Sequence, residues 1–169
     1  MQTRSAVSSI LLGGFIAGTV DIGAAAAING RSPVFILHIV AGGILGPAAL
    51  DGGPGAAAFG LGLQWGMSLI IAAIFVVATR YLPILRKQWL TSGIAYGVPV
   101  YLVMTYVVVP LSAWHRFPRF TLYGLVTNLL AMMLFGVIVS YFASRIRDAG
   151  PSRRRRSRSI VDAAKRFAS

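Results

Sequence analysis

Asp21 is the residue of this chain whose type and position point most directly to chemistry. It lies in an apolar stretch long enough to be a membrane span, about 6 Å past the centre of that span at 1.5 Å of rise per residue. A carboxylate at such a depth costs about 2.5 to 3.5 kcal/mol on insertion scales and usually faces a bundle interior or a wet cavity. Gly14 and Gly18 share a helix face with Asp21, and a stripe of small residues is where another helix approaches closely. We therefore expect Asp21 to point towards protein rather than lipid.

Three further polar residues interrupt apolar segments and are candidates to join Asp21 in an intramembrane cluster. They are His38, Gln64 and Asn128. An imidazole could exchange protons with Asp21 if its segment folds back into the bundle, whereas amides usually form hydrogen bonds between helices. The cluster has two interpretations: a polar path for a proton or cation, or a set of hydrogen bonds that hold helices together. The second use is the commoner one.

Enzymatic chemistry is poorly supported by the residue types present. The chain has no Cys, which excludes thiolate nucleophiles, disulfides and Cys-based metal centres. It has no Glu, and two isolated His residues make no convincing metal site. Motifs of serine hydrolases, zinc proteases and phosphate-binding loops do not occur. We expect no enzyme activity, no metal and no cofactor; a lipid-acting enzyme is the least favoured function.

Membrane helices must position these residues. Blocks 52–79, 88–115 and 120–144 contain no charged residue and are 25 to 28 residues long, whereas a span needs about 20 apolar residues. The whole chain is only 12% charged, about half the share in a soluble domain. The pattern predicts four spans in a helical bundle over residues 1–147, followed by a basic tail over 148–169. The predicted spans are 6–28, 56–79, 89–111 and 120–144.

The segment 33–50 lacks the pattern of an ordinary span. Ser32 before Pro33 predicts a helix start, but Gly42, Gly43 and Gly46 interrupt the apolar run of this helix. The continuous helical part would rise only about 20 Å, less than the roughly 30 Å hydrocarbon core. We predict a short re-entrant or interfacial helix, with a fifth span as the alternative because tilt and bilayer thinning accommodate mismatch. The predicted fold class is therefore all-α and integral to the membrane.

Pairs of glycines four residues apart permit close contact between helices. Such contacts arise within one subunit, between the copies of a homo-oligomer, or with another membrane protein. The predicted packing residues are Gly14 and Gly18, Gly62 and Gly66, and Gly93 and Gly97.

Basic residues set the predicted orientation. Residues 145–169 and the connection 80–87 together hold twelve Lys and Arg, whereas the loop 112–119 holds two. The positive-inside rule therefore places the C-terminus in the cytoplasm. The arginine run would contact anionic lipid headgroups at about 1 kcal/mol per residue, and it contains no aromatic residue for stacking on nucleic-acid bases. The run comprises Arg153, Arg154, Arg155, Arg156 and Arg158.

Three short motifs carry a family resemblance: AGTVDI at 17–22, GRSP at 30–33 and YVVVPLS at 106–112. With these motifs the chain resembles small bacterial inner-membrane proteins of the YagU-like type over about residues 11–145. The resemblance implies a multi-spanning inner-membrane protein and no known activity. Proteins of this type carry a His near the positions of Gln64 and Asn128, so the amides found here weaken a proton-relay function. The favoured prediction is a structural or accessory component of the membrane or of a membrane complex, with a small transporter or channel around Asp21 as the alternative.

Overall fold

The computed structural model describes residues 2–114 and 121–145, and this part of the chain is built from helices. The prediction of an all-α membrane fold is confirmed. The elements are α1 (Gln2–Asn29), α2 (Pro33–Leu45), a 3₁₀ segment (Gly46–Asp51), α3 (Gly53–Tyr81), α4 (Ile84–Lys87), α5 (Trp89–Val103), a π segment (Met104–Val108), α6 (Val109–Leu111) and α7 (Leu122–Ser144). By length and composition, five of the described stretches are able to cross a membrane: Ser5–Asn29, Pro33–Asp51, Gly53–Tyr81, Trp89–Leu111 and Leu122–Ser144.

Four of these five stretches correspond within a few residues to the spans predicted from the sequence. Their starts follow local chemistry. The Thr121 side chain accepts a hydrogen bond from the Gly124 N–H at the start of α7, an N-terminal cap that satisfies a free backbone donor. Large apolar side chains such as Ile70, Ile74 and Leu130 are exposed on the helices, which suits surfaces that lipid covers.

The segment Pro33–Asp51 is folded back on itself. As predicted, α2 begins with Ser32 as its cap, and the Phe35 N–H donates to the Ser32 hydroxyl at 3.2 Å. The helix ends at Gly46, whose φ of 72° is readily available only to glycine. A straight helix would place Gly53 about 22 Å from His38, yet the His38 Nε2 lies 2.9 Å from the Gly53 carbonyl oxygen. The chain therefore reverses after α2, and α3 begins beside the middle of α2.

This reversal bears on the two predictions for the segment. Taken as one stretch, Pro33–Asp51 meets the length and hydropathy of a span, in agreement with the five-span alternative. Its two helices do not form one straight rod, because Ala49 returns to pack in one buried cluster with Ala41 and Ala56. The short, folded-back helix is the geometry expected of a re-entrant segment.

Two antiparallel helix pairs form the packed part of the bundle. In the first pair, Gly14 of α1 approaches Leu69 of α3, so a Cβ on Gly14 would lie 3.1 Å from the Leu69 Cα. In the second, a Cβ on Gly97 of α5 would lie 2.5 Å from the Cα of Met133 on α7. Helix α7 also packs on α1, where Gly13 meets Phe142. Between the pairs lies a core that includes Ala17, Ala72, Phe75, Val76, Phe135 and Val139.

The third span contains a widened turn that the apolar pattern did not reveal. After α5 the chain forms the π segment, in which the Val109 N–H donates to the Met104 carbonyl five residues earlier. The next residue is Pro110, which has no N–H and whose ring clashes with the carbonyl four residues before it. A π turn relieves that clash by inserting one extra residue into the helix.

Candidate functional site

Asp21 and Gln64 form a hydrogen-bonded pair between α1 and α3. The Gln64 Nε2 donates to the Asp21 Oδ2 at 2.8 Å. The pair exists because the two helices meet closely beside it: a Cβ on Gly18 would lie 2.5 Å from the Ser68 Oγ. Gln64 is only 8% exposed, and its amide faces Asp21. The glycine stripe of α1 therefore turns Asp21 towards protein, as the sequence predicted.

His38 holds the folded-back segment together. Its Nδ1 lies 2.9 Å from the Val34 carbonyl oxygen and its Nε2 lies 2.9 Å from that of Gly53. A neutral imidazole has one N–H to donate and an imidazolium has two. The imidazolium, or the neutral ring with its proton on Nε2, ties α2 to the start of α3. Both ring nitrogens face backbone carbonyls rather than the Asp21–Gln64 pair.

Asn128 is engaged within its own helix. Its Nδ2 donates to the Gly124 carbonyl oxygen at 2.7 Å, and the side chain is exposed on α7. The four residues predicted as one intramembrane cluster thus occupy three places in the described structure. Asp21 and Gln64 meet, while His38 and Asn128 bond to backbone elsewhere.

An apolar cleft of about 860 Å³ lies beside Gln64. Its walls are one side of α2, the first half of α3, and the π segment with α6. Gln64 and Ser112 are the polar side chains of the lining apart from the indole of Trp114. The lining comprises Phe35, Ile39, Val40, Gly43, Ile44, Leu50, Leu63, Gln64, Met67, Met104, Val107, Val108, Val109, Leu111, Ser112 and Trp114.

Trp114 closes one edge of the cleft against α2. Its Nε1 donates to the Ile39 carbonyl oxygen at 3.0 Å, and the adjacent Ala113 N–H donates to the Gly43 carbonyl oxygen at 2.8 Å. The indole fits because Gly42 has no side chain: a Cβ there would lie 2.8 Å from the indole Cε2. The glycines of α2 therefore make room for Trp114.

The predicted glycine contacts divide into two groups. Gly14, Gly18, Gly93 and Gly97 all lie against a neighbouring helix of the same chain. Within the described residues, a Cβ on Gly62 or Gly66 would have no heavy atom of another element within 4 Å. Helix contact through Gly62 and Gly66 therefore stays a prediction.

Two other predictions concern regions or chemistry away from this pair. The arginine run, Arg153 to Arg156 with Arg158, and the rest of the tail lie outside the described residues, as does His115. Among the residues that the structure describes, no three His, Asp or Glu side chains are grouped closely enough to hold a metal ion. The chemistry that this arrangement offers is hydrogen bonding between helices and binding of apolar groups.

Sequence reasoning did not find the cleft. Its lining residues are ordinary apolar residues of a membrane segment, and two signals could have found it: Pro110, which disturbs the end of the third span, and the adjacent Gly42 and Gly43 in a short helix. The fold and the Asp21–Gln64 pair define the class of the molecule, a multi-spanning helical membrane protein. Comparisons with protein-family models, with curated proteins and with solved structures find no match to the chain.

Proposed function

We propose that this protein is a structural or accessory component of a bacterial inner membrane or of a complex within it. The Asp21–Gln64 hydrogen bond carries the proposal. An intramembrane carboxylate is costly to bury, and here its 2.8 Å partner is an amide on the facing helix, beside a close contact of that same helix pair. Such a bond holds two helices together.

The engagement of the other polar groups supports the same function. His38 joins α2 to α3 through backbone carbonyls, and Asn128 bonds to the turn before it. Each of these side chains bonds to a backbone carbonyl nearby rather than to Asp21 or Gln64. A polar path for solutes would instead be expected to present them to one another across a shared cavity.

The transporter alternative has one specific observation in its favour. Gln64 both contacts Asp21 and lines the cleft, so a solute that entered the cleft would reach the vicinity of the carboxylate. A flux through this place would depend on Asp21.

The outward face of α3 is the surface that we propose for a partner or a second copy of the chain. Gly62 and Gly66 leave open space there, and small residues allow a helix from another subunit to approach. The basic tail is proposed to lie in the cytoplasm on anionic lipid, in agreement with the positive-inside rule. A relation to the YagU-like type is part of the proposal and rests on the motifs at 17–22, 30–33 and 106–112.

Cysteine crosslinking in native membranes tests the proposed assembly, and the absence of Cys from the chain makes every introduced thiol unique. Gly62→Cys and Gly66→Cys are expected to give a discrete disulfide-linked dimer or a single adduct with a partner. Leu130→Cys, which is exposed on α7, is the control and should give none. A monodisperse monomer for all three variants, with no partner, would contradict the accessory function.

Flux measurements in proteoliposomes separate the accessory function from the alternative. The accessory function predicts that wild-type protein produces no proton or cation flux above that of empty liposomes. A wild-type flux that Asp21→Asn abolishes, with the fold retained by circular dichroism, would replace the proposal with the transporter.

A further inference from the structure

The apolar cleft has the size and depth of a binding site for a hydrocarbon chain. Its volume of about 860 Å³ falls in the range of about 300–1,000 Å³ that ligand pockets occupy. Leu63 and Met67 lie ten and fourteen residues past the start of α3, which is about 15–21 Å along the helix. The cleft therefore extends from the end of the span towards the middle of the bilayer.

One end of the cleft carries a cation. The Arg31 guanidinium carbon lies 5.2 Å from the centroid of the Phe35 ring, and Phe35 is part of the lining. Arg31 is exposed and directly precedes the capped start of α2. A guanidinium held over an aromatic face keeps N–H donors at its edge available for an anion.

The border of the cleft has a feature of a membrane–water interface. Trp114 borders the cleft next to α2, and Trp residues concentrate where lipid headgroups meet hydrocarbon. The two carboxylates of the described residues, Asp21 and Asp51, are not in the lining, although Asp51 follows the lining residue Leu50. Asp21 lies behind Gln64 and accepts a hydrogen bond from the Gln64 amide. The cleft therefore combines an apolar interior with a positive charge at its mouth.

We propose that this cleft binds an anionic phospholipid, with an acyl chain between α2, α3 and the π segment and the phosphate at Arg31. The acyl chain fills the cleft and contacts its apolar lining, which would otherwise face an empty space. The Arg31 guanidinium favours a headgroup with net negative charge. Neutral phospholipids share the acyl chain but lack that net charge. This site is separate from the arginine tail, which would attract anionic lipid without selecting a chain.

Trp114 provides a native reporter for the proposal. In a background with Trp65→Phe and Trp89→Phe, Trp114 is the single tryptophan. The full-length protein is placed in nanodiscs of phosphatidylcholine, and phosphatidylglycerol with a brominated acyl chain is titrated in. Bromine quenches indole fluorescence at contact, so half-quenching reports the mole fraction that fills the cleft. A titration with phosphatidylcholine carrying the same brominated chain gives the reference.

We expect phosphatidylglycerol to reach half-quenching at a mole fraction about fivefold lower than phosphatidylcholine, the effect of one basic residue near a membrane surface. Arg31→Gln should remove this difference. Arg80→Gln, at the end of α3 and outside the cleft, should keep it. Replacement of all five arginines of the run at 153–158 by Gln should also keep it, because the tail is not the proposed site.

A pair of bulky substitutions tests the acyl-chain part of the site. Val107→Phe adds a ring to the lining and should weaken quenching by both lipids. Val103 lies one turn earlier on the same span and outside the lining, and its side chain is 51% exposed, compared with 46% for Val107. Val103→Phe should therefore leave quenching unchanged. Circular dichroism confirms that both variants fold.

Three results would overturn the proposal. Identical curves for the two lipids in the wild-type background would mean ordinary contact with bulk lipid. An unchanged curve for Val107→Phe would place the quencher outside the cleft. Absence of quenching by either lipid would mean that protein, such as a second copy of the chain, covers Trp114.

Discussion

The glycine-packed side of this bundle and its cleft side use the same residue type for opposite purposes. Where α5 meets α7, Gly97 brings two backbones so close that a single added carbon would collide with the Met133 Cα. In α2, Gly42 instead leaves room for the Trp114 indole, and Gly46 turns the chain. The first arrangement removes space between helices, and the second leaves a cleft beside them.

The polar groups of the two sides differ in the same way. On the packed side, Asp21 and Gln64 bond across an interface between two long helices. On the cleft side, His38 and Trp114 bond to backbone carbonyls of a helix that ends after 13 residues. At these places a side-chain pair joins two long helices, while side-chain-to-backbone bonds hold the short helix and the cleft. Four substitutions test this contrast.

The largest effect is expected from Gly97→Ala. The new Cβ would meet backbone atoms of α7, which cannot move as a flexible side chain can, so the free energy of unfolding should fall by about 3 kcal/mol, at the upper end of overpacking costs. Unfolding by SDS in mixed micelles measures it. Gly62→Ala is the matched control, expected to be neutral or to gain up to about 1 kcal/mol from helix propensity. Equal losses for both variants would remove the distinction between packed and open glycines.

Gln64→Leu should lower the free energy of unfolding by about 2 kcal/mol, because the Asp21 carboxylate loses its partner in a partly buried place. The double variant with Asp21→Leu should recover most of this loss. The double-mutant cycle then isolates the coupling between the two residues. Additive effects of the two single changes would show that the pair does not hold α1 and α3 together.

Gly42→Ala should change the free energy of unfolding by about 1 kcal/mol or less, because the gain in helix propensity offsets the displacement of a side chain rather than a backbone. Its clearest effect is on Trp114, whose emission should shift as the indole leaves the Ile39 carbonyl. Gly43→Ala is the neighbouring control, because its Cβ would lie at an ordinary 3.8 Å from the Ser112 Cβ. An emission spectrum of Trp114 that Gly42→Ala leaves unchanged would contradict the packing of the indole against Gly42.

The smallest effect is expected from Asn128→Leu, within about 0.5 kcal/mol in the same unfolding assay. Asn128 is exposed and bonds to its own helix, so Leu at this place loses no contact between helices. Asn128→Leu replaces an amide by Leu, as Gln64→Leu does, but at an exposed position without a bond to another helix. A loss as large as that of Gln64→Leu would indicate an intermolecular partner for Asn128.

The spans were predictable because each records its own environment. Charge-free blocks of sufficient length must satisfy their backbone as helices in lipid, and the boundaries of α3, α5 with α6, and α7 agree with that rule. The start of α2 was also predictable, because it depends only on two adjacent residues, the cap Ser32 and the first helical residue Pro33. The orientation of Asp21 was predictable because Gly14 and Gly18 mark the face of α1 that meets protein.

The partners of the polar residues were not predictable in the same way. Gln64 and Asn128 are both amides within apolar spans, yet the first bonds to another helix and the second to its own. Which face of a helix meets a neighbour depends on the packing of the whole bundle, and the apolar pattern carries no record of it when lipid and protein are both apolar.

Composition and local order along the chain thus determined that this is a helical membrane protein, where its helices run and which face of α1 meets protein. The arrangement of the helices in space decided the rest: the union of Asp21 with Gln64, the return of the chain to His38, and the cleft between α2, α3 and the π segment. The physical reason is the distance along the chain over which each interaction acts. Burial of the backbone in lipid acts on each segment separately. The hydrogen bonds of Gln64 to Asp21 and of Trp114 to Ile39 join residues 43 and 75 positions apart, so they depend on how separate helices pack.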